Sequence, residues 1–244
     1  MEKNMKKIVI GVPLVTKSIH PDFVKSLVGS VYAGTKVDVE FFIDFESSNS
    51  IVEMNANVIA NRVKSSDTVD GVLFLSPNLS WSPNTLLSLL DHDKDVVSGV
   101  FPEAVTFEEV YNVKLLEDQD IQGENLKAEY VNMQACYVSK GALVKAAEYS
   151  EYSTDGTFSF FFTPKIENGL YTPGYVGFCQ ALIKSGVNIN VEKSANFGNI
   201  GEIKFDGNYE KLIQKHWVED QALMQDIERG LIELQSENEK GAIE

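Results

Sequence analysis

Proton transfer, metal binding and nucleophilic attack need particular side chains, and this 244-residue chain is sparing with them. Its three histidines, His20, His92 and His216, lie far apart and lack the spacing of metal ligands. Its two cysteines, Cys136 and Cys179, sit between apolar neighbours. They are too few for a disulfide framework and read as small buried hydrophobes of a reducing compartment. No G-x-S-x-G motif is present for serine hydrolysis. Gly11-Val12-Pro13 matches neither the dinucleotide nor the P-loop pattern. Carboxylates cluster at Glu108-Glu109 and Glu117-Asp118, without the glycine-bearing loop that calcium needs, so a solvated acidic face is the plainer reading. Asp44, at the end of an apolar run, is placed either to accept from a nucleobase or ribose hydroxyl or to lie in a surface loop.

Charge narrows the partners. The formal net charge is −15 and the pI about 4.6, with no Lys/Arg cluster to override it. Such a surface repels phosphate backbones, which argues against nucleic acid. Hydrophobic residues at 43% and charged residues at 23% are ordinary globular values. The start MEKNMKKIVIGVPLV has a short apolar run broken by Pro13 and no small-residue cleavage site. It reads as a first strand rather than a signal peptide. No apolar stretch approaches the roughly 20 residues that span a bilayer. A cytoplasmic protein is expected, without membrane contact.

The elements follow from periodicity. Lys7 to Val12 and Gly71 to Leu75 are continuous apolar runs, the mark of strands buried on both faces. Val37 to Ile43 and Val96 to Val100 complete a first set of four strands. Between them lie helical stretches: one after Pro21, one over Ser50 to Lys64 with Ser50 and Glu53 spaced as a capping box, and one over Asn84 to Asp91 opened by Ser82-Pro83. This βαβ alternation predicts an α/β fold with a mainly parallel sheet flanked by helices. Ligands of such sheets bind at the carboxyl ends of the strands, here near Pro13, Asp44 and Ser76. Glu103 to Leu126 reads as a polar excursion or a pair of strands, Tyr130 to Val138 as one strand, Ser139 to Glu148 as a helix. Phe158 to Phe162 reads as a strand or packed loop, Tyr175 to Ser185 as a helix, and Val187 to Val191 as extended. A long helix is expected over Asn208 to Glu239. There Ile213, Trp217, Asp220, Met224, Ile227, Leu231 and Leu234 form a heptad seam, able to pack on the protein's own sheet or on another subunit as a homo-oligomer contact. The expected division is 1–207 for the α/β domain and 208–244 for the C-terminal helix and tail.

The stretch Val72 to Pro102, VLFLSPNLSWSPNTLLSLLDHDKDVVSGVFP, resembles the GT-A-like glycosyltransferases of bacteriophages and bacteria. The likeness runs in register through strand, loop, Ser-Pro helix start, His-Asp turn and the following strand, which gives His92 a structural role. It extends to NANVIANRV (Asn55 to Val63), to MQACYVSKGALVK (Met133 to Lys145) and to the segment from Gly169 to Tyr209, about residues 6 to 210 in all. The resemblance implies a Rossmann-like GT-A fold and a cleft for a nucleotide-sugar. Pro13, Thr16, Asp44, Asn57, Ser76, Asn78 and Asn199 are then the cleft candidates.

Departures from the family pattern are concentrated at its site. An Asp-x-Asp that would hold manganese or magnesium is replaced by Ser76, Pro77 and Asn78. The Glu-Asp pair that would supply the base is replaced by Pro173 and Gly174, the late His by Asn199, and a Gly-Thr-Gly by Met133-Gln134-Ala135. A diphosphate leaving group needs a hard cation held by anionic oxygens, and a base needs a titratable group. The implied reading is a GT-A-type protein with no catalytic residues and no metal or other cofactor, kept for binding a nucleotide-sugar or other small molecule, or for assembly. Two further readings are a metal-independent glycosyltransferase and a phage structural or host-interaction protein active in the host cytoplasm. Lys17, Arg62 and Lys165 are the cations that the metal-independent enzyme would have to use against the diphosphate.

Overall fold

The computed structural model describes residues 5–16, 18–90, 93–103, 110–117, 119–123, 126–167, 169–200, 204–205, 210–211 and 213–214. The chain divides into two compact units, Met1–Gly207 and Asn208–Glu244. In the second unit the described residues 210–211 and 213–214 are helical. Of the heptad seam Ile213 is described and buried; Trp217 and the later seam positions lie outside the described residues, as do Lys17, His92, His216 and Glu108-Glu109.

The first unit begins with β1 (Lys6–Pro13), α1 (Pro21–Gly34), β2 (Val39–Glu46), α2 (Val52–Ser65) and β3 (Gly71–Leu75). Then come β4 (Leu79–Ser80), α3 (Thr85–Ser88), β5 (Val96–Val100), β6 (Val113–Leu115), β7 (Leu126–Val131), β8 (Ala135–Ser139) and α4 (Lys140–Ala147). The last elements are β9 (Glu151–Tyr152), β10 (Ser159–Phe160), β11 (Lys165–Glu167), β12 (Leu170–Thr172), α5 (Gly174–Lys184), β13 (Asn190–Asn196), β14 (Gly198–Ile200) and β15 (Lys204–Phe205).

Eight strands form one sheet in the order β2-β1-β3-β8-β5-β13-β7-β6. β2, β1 and β3 pair in parallel, as do β5 and β13, while β8 and β7 run against their neighbours. Six of the eight strands therefore point one way, which is the expected mainly parallel α/β sheet with two reversed strands set into it. Every residue of β3 is buried, as a continuous apolar run requires of a central strand. Leu73 and Leu75 join the core under α1 and α3 with Phe23, Leu27, Trp81 and Phe197. On the opposite face Phe74 meets Phe162 edge-on at 5.4 Å, beneath α2 and α5.

Three local expectations change. The run Tyr130 to Val138 is two strands, because the chain turns at Asn132–Gln134, where the Gln134 N–H donates to the Asn132 carbonyl at 2.8 Å. The helix expected over Asn84 to Asp91 is one turn, Thr85–Ser88. Its N-cap is Asn84, while the Ser82 hydroxyl pairs with that of Thr85 at 2.8 Å. The capping box on α2 does not form. Ile51 is the N-cap with no side-chain bond, and Glu53 lies in the first turn without capping it. Within Glu103 to Leu126 the described residues hold one short strand, β6, rather than a pair; its partner β7 begins at Leu126 and runs on to Val131. The helix after Pro21 is α1, and His20 caps it by accepting the Asp22 N–H on Nδ1 at 3.1 Å.

Candidate functional site

The crossover through α1 carries the chain from β1 to β2, and the one through α2 carries it back past β1 to β3. Crossovers that run in opposite directions on the two sides of β1 open a crevice above its carboxyl end. A cavity of about 310 Å³ lies there. Pro13 at the end of β1, and Leu75, Ser76 and Pro77 after β3, form its floor. Val52, Glu53 and Ala56 from the first turns of α2 form one wall. The turn Asn132-Met133-Gln134 and Phe162, Tyr171, Pro173 and Tyr175 complete it.

Three asparagines of α2 build this wall from inside the protein. Asn55 donates to the carbonyls of Leu14 at 2.6 Å and Asn49 at 2.9 Å, tying down the chain beyond β1. Asn57 accepts the Phe162 N–H on Oδ1 at 2.9 Å. Asn61 exchanges two bonds with the Ser159 backbone, 2.8 and 2.9 Å. Buried amides that satisfy irregular backbone fix a loop as firmly as a ladder does. The aromatic segment Phe158–Phe162 is thereby pinned, and Phe162 is presented to the cavity.

The sequence candidates separate. Pro13 and Ser76 line the cavity. Asn78 and Asn199 are not among the residues lining the cavity; they lie at the β4–β14 ladder, where Asn199 pairs with Leu79 and the Ile200 N–H donates to the Asn78 carbonyl at 2.7 Å. The Asn199 amide donates to the Pro102 carbonyl at 3.2 Å. Thr16 pairs with Ser18 at 3.1 Å on an exposed loop. Asn57 is 1% exposed and acts as the backbone anchor just described. Asp44 lies outside the cavity lining, and its carboxylate is taken by Arg62 at 3.0 Å. The same guanidinium reaches Glu46 at 2.6 Å, so Arg62 is committed to β2. Lys165 pairs with Glu151 at 3.6 Å. Neither cation lines the cavity.

Glu46 is held below the usual carboxylate range by hydrogen bonds from Ser48 and then by Arg62. A lowered folded-state value adds stability at neutral pH that is lost as pH falls through it. Glu46→Gln is therefore expected to be less stable than the parent at pH 7. The gap should narrow in thermal melts as pH falls through the lowered Glu46 value and its carboxylate takes up a proton.

The residues that would hold manganese or magnesium do not fit such an ion. Ser76, Asn78 and Asn199 offer only neutral oxygens, and among the described residues no group of three or more His, Cys, Asp or Glu side chains is gathered. Gly174 is closed by packing. A Cβ there would stand 2.9 Å from the Phe162 carbonyl carbon, 3.0 Å from its oxygen and 3.2 Å from Cγ of Glu53. An acid at 174 would thus require Phe162 or Glu53 to move.

Sequence reasoning missed most of the wall. Among the described residues Glu53 is the only charged side chain on the cavity lining, and nothing among them is bonded to its carboxylate. Tyr171 is 63% exposed, at the mouth, on the β11–β12 hairpin. Tyr175 is half-buried beside Tyr130 at 6.3 Å, and burial foremost pushes its phenol up, so it stays neutral at physiological pH. The one available sequence signal was positional: Glu53 falls on the helix that begins just after the second strand of a βαβ unit.

No described helix is long and apolar enough to cross a membrane. No family model matches the chain, and no curated protein sequence matches it. Among solved structures, the inositol-1-phosphate CTP transferase from T. maritima aligns with a TM-score of 0.43 at 13% identity, over 79% of this chain and 86% of that one. The UTP-bound UGPase from Acinetobacter baumannii aligns with 0.39 at 11% identity, over 94% and 99%. A197 from STIV reaches 0.50 at 13% identity, over 81% of this chain and 86% of that one, and at that identity what the two share is the fold.

Proposed function

We propose that this is a GT-A-type α/β protein whose cleft binds a small molecule without carrying out metal-assisted sugar transfer. One observation carries the reading: the cavity sits at the strand ends where such folds bind ligands, yet its described lining has one carboxylate and no cation. Sugar transfer from a nucleotide diphosphate builds negative charge on the leaving group, and that charge needs a metal, an Arg or a Lys in contact. The positions resembling the metal ligands carry neutral oxygens, and Gly174 offers no group to take a proton. Arg62 and Lys165, the described cations that a metal-free enzyme would use, are engaged elsewhere. What remains is a mostly apolar and aromatic pocket with a few polar groups, the usual composition of a ligand site. The buried free thiols Cys136 and Cys179 suit a reducing, cytoplasmic setting.

The test is turnover of UDP-, GDP-, TDP- and CMP-sugars, with manganese and again in EDTA. Neither transfer nor hydrolysis is expected above the rate without protein under either condition. Product formed in manganese with any donor sinks the reading, and product formed in EDTA favours a metal-independent glycosyltransferase.

A further inference from the structure

We propose that the cavity at the ends of β1 and β3 is a site for a small organic cation, whose ammonium group lies against the Tyr171, Tyr175 and Phe162 rings beside Glu53. The inference rests on the binding role proposed above and names its ligand class.

Three observations converge. First, aromatic side chains from separate elements line one cavity: Phe74 from β3, Phe162 from the pinned loop, Tyr171 from β12 and Tyr175 from α5. Ring faces attract cations, and aromatic-lined cages are a common solution for alkylammonium groups. Second, among the described lining residues the single charged group is the Glu53 carboxylate, unbonded among the described residues and held by its stem against Gly174. A carboxylate facing an apolar pocket with no protein cation leaves its counter-charge to be supplied by the ligand. Third, the chain as a whole carries −15, which raises the local concentration of cations and opposes anions.

One feature of the wall opposes this. The first turns of α2 and α5 both border the cavity, and their N-caps, Ile51 and Pro173, make no side-chain bond. Helix starts carry a partial positive charge that favours anions. Glu53, in the first turn of α2, offsets the charge of its own helix. The aromatic faces and the overall charge then decide the sign.

Choline and its uncharged isostere 3,3-dimethyl-1-butanol separate charge from shape. In calorimetric titrations of the full chain, choline is expected to bind at least about tenfold more tightly than the alcohol. Glu53→Gln should weaken choline by about tenfold and leave the alcohol unchanged. Tyr175→Leu should weaken both, choline more. Thermal melts of each variant check that it is folded, and added salt should weaken choline alone.

Equal affinity for choline and the alcohol overturns the proposal, as does choline binding that Glu53→Gln leaves untouched. Inorganic phosphate or a UDP-sugar binding where choline does not would show that the helix starts dominate. That also overturns the cation site, while the small-molecule reading stands. If choline, the alcohol, phosphate and the sugar nucleotides all fail to bind, the small-molecule reading falls with it.

Discussion

Replacing Gly99 with alanine is expected to lower stability by about 3 kcal/mol, a fall of roughly 6 to 12 °C in melting temperature for a chain of this size. Gly99 lies in β5, one residue from the end of the strand. A Cβ there would fall inside the contact distance of the Phe197 ring and 3.0 Å from the Ala195 carbonyl oxygen. Neither neighbour can yield easily. The Phe197 N–H donates to the Val100 carbonyl at 2.8 Å, and its ring packs on Trp81 at 5.6 Å. Trp81 in turn meets Phe23 edge-on at 5.1 Å, and its indole N–H donates to the Ser30 hydroxyl at 2.8 Å. One added methyl therefore presses on a line of rings running from the sheet to α1, where displacement is resisted at each step. Phe197→Leu alone should cost about 1 to 2 kcal/mol through the space it leaves. In the double variant the smaller side chain makes room for the methyl, so the combined cost should fall short of the sum by at least about 1 kcal/mol. Additive losses in a double-mutant cycle from urea or thermal unfolding would place the strain somewhere other than this contact.

Which parts of this architecture could be read from the sequence follows from what periodicity reports. β1 and β3 were legible because a strand covered on both faces must be apolar at every position, as Ile8 to Val12 and Gly71 to Leu75 are. The direction of β8 was not legible. Alternation and composition are the same for a strand running either way, and only the route of the chain through β7 turns Ala135–Ser139 antiparallel between β3 and β5. The turn that splits Tyr130 to Val138 contains no glycine or proline to announce it. The cavity floor, Pro13 and Ser76, was accessible from the rule that ligands gather at strand ends. Its walls were not, because Phe162, Tyr171 and Tyr175 arrive from about a hundred residues downstream and belong to no local pattern. Glu53 was hidden by a competing local explanation, the capping box, which the backbone does not adopt. Asp44 and Arg62 both looked like ligand groups, and each turned out to be the other's partner.

Asn57→Ala is expected to cost about 2 to 3 kcal/mol and to loosen the cavity wall together with the fold. Asn57 is 1% exposed, and its Oδ1 accepts the Phe162 N–H at 2.9 Å across 105 residues of sequence. Truncation removes the acceptor and leaves that buried N–H unpaired, which costs more than the net worth of the bond. The melting temperature should fall by roughly 4 to 12 °C. Hydrogen exchange locates the effect: the Phe162 amide, protected in the parent, should exchange much faster in the variant, while amides of β1 and β3 keep their order of protection. Asn57→Asp keeps an acceptor in place but puts a carboxylate where water does not reach. Its buried charge is costly above its own pKa and is neutralised by protonation below it. That variant should therefore lie closer to the parent at pH 5 than at pH 8, whereas the Asn57→Ala deficit should not change between them. A Phe162 amide that stays protected in Asn57→Ala would mean that the aromatic segment is held by its ring contacts with Phe74 and Phe178 alone, at 5.4 and 4.7 Å. The asparagine would then be a passenger on α2 rather than the strut of the cavity wall.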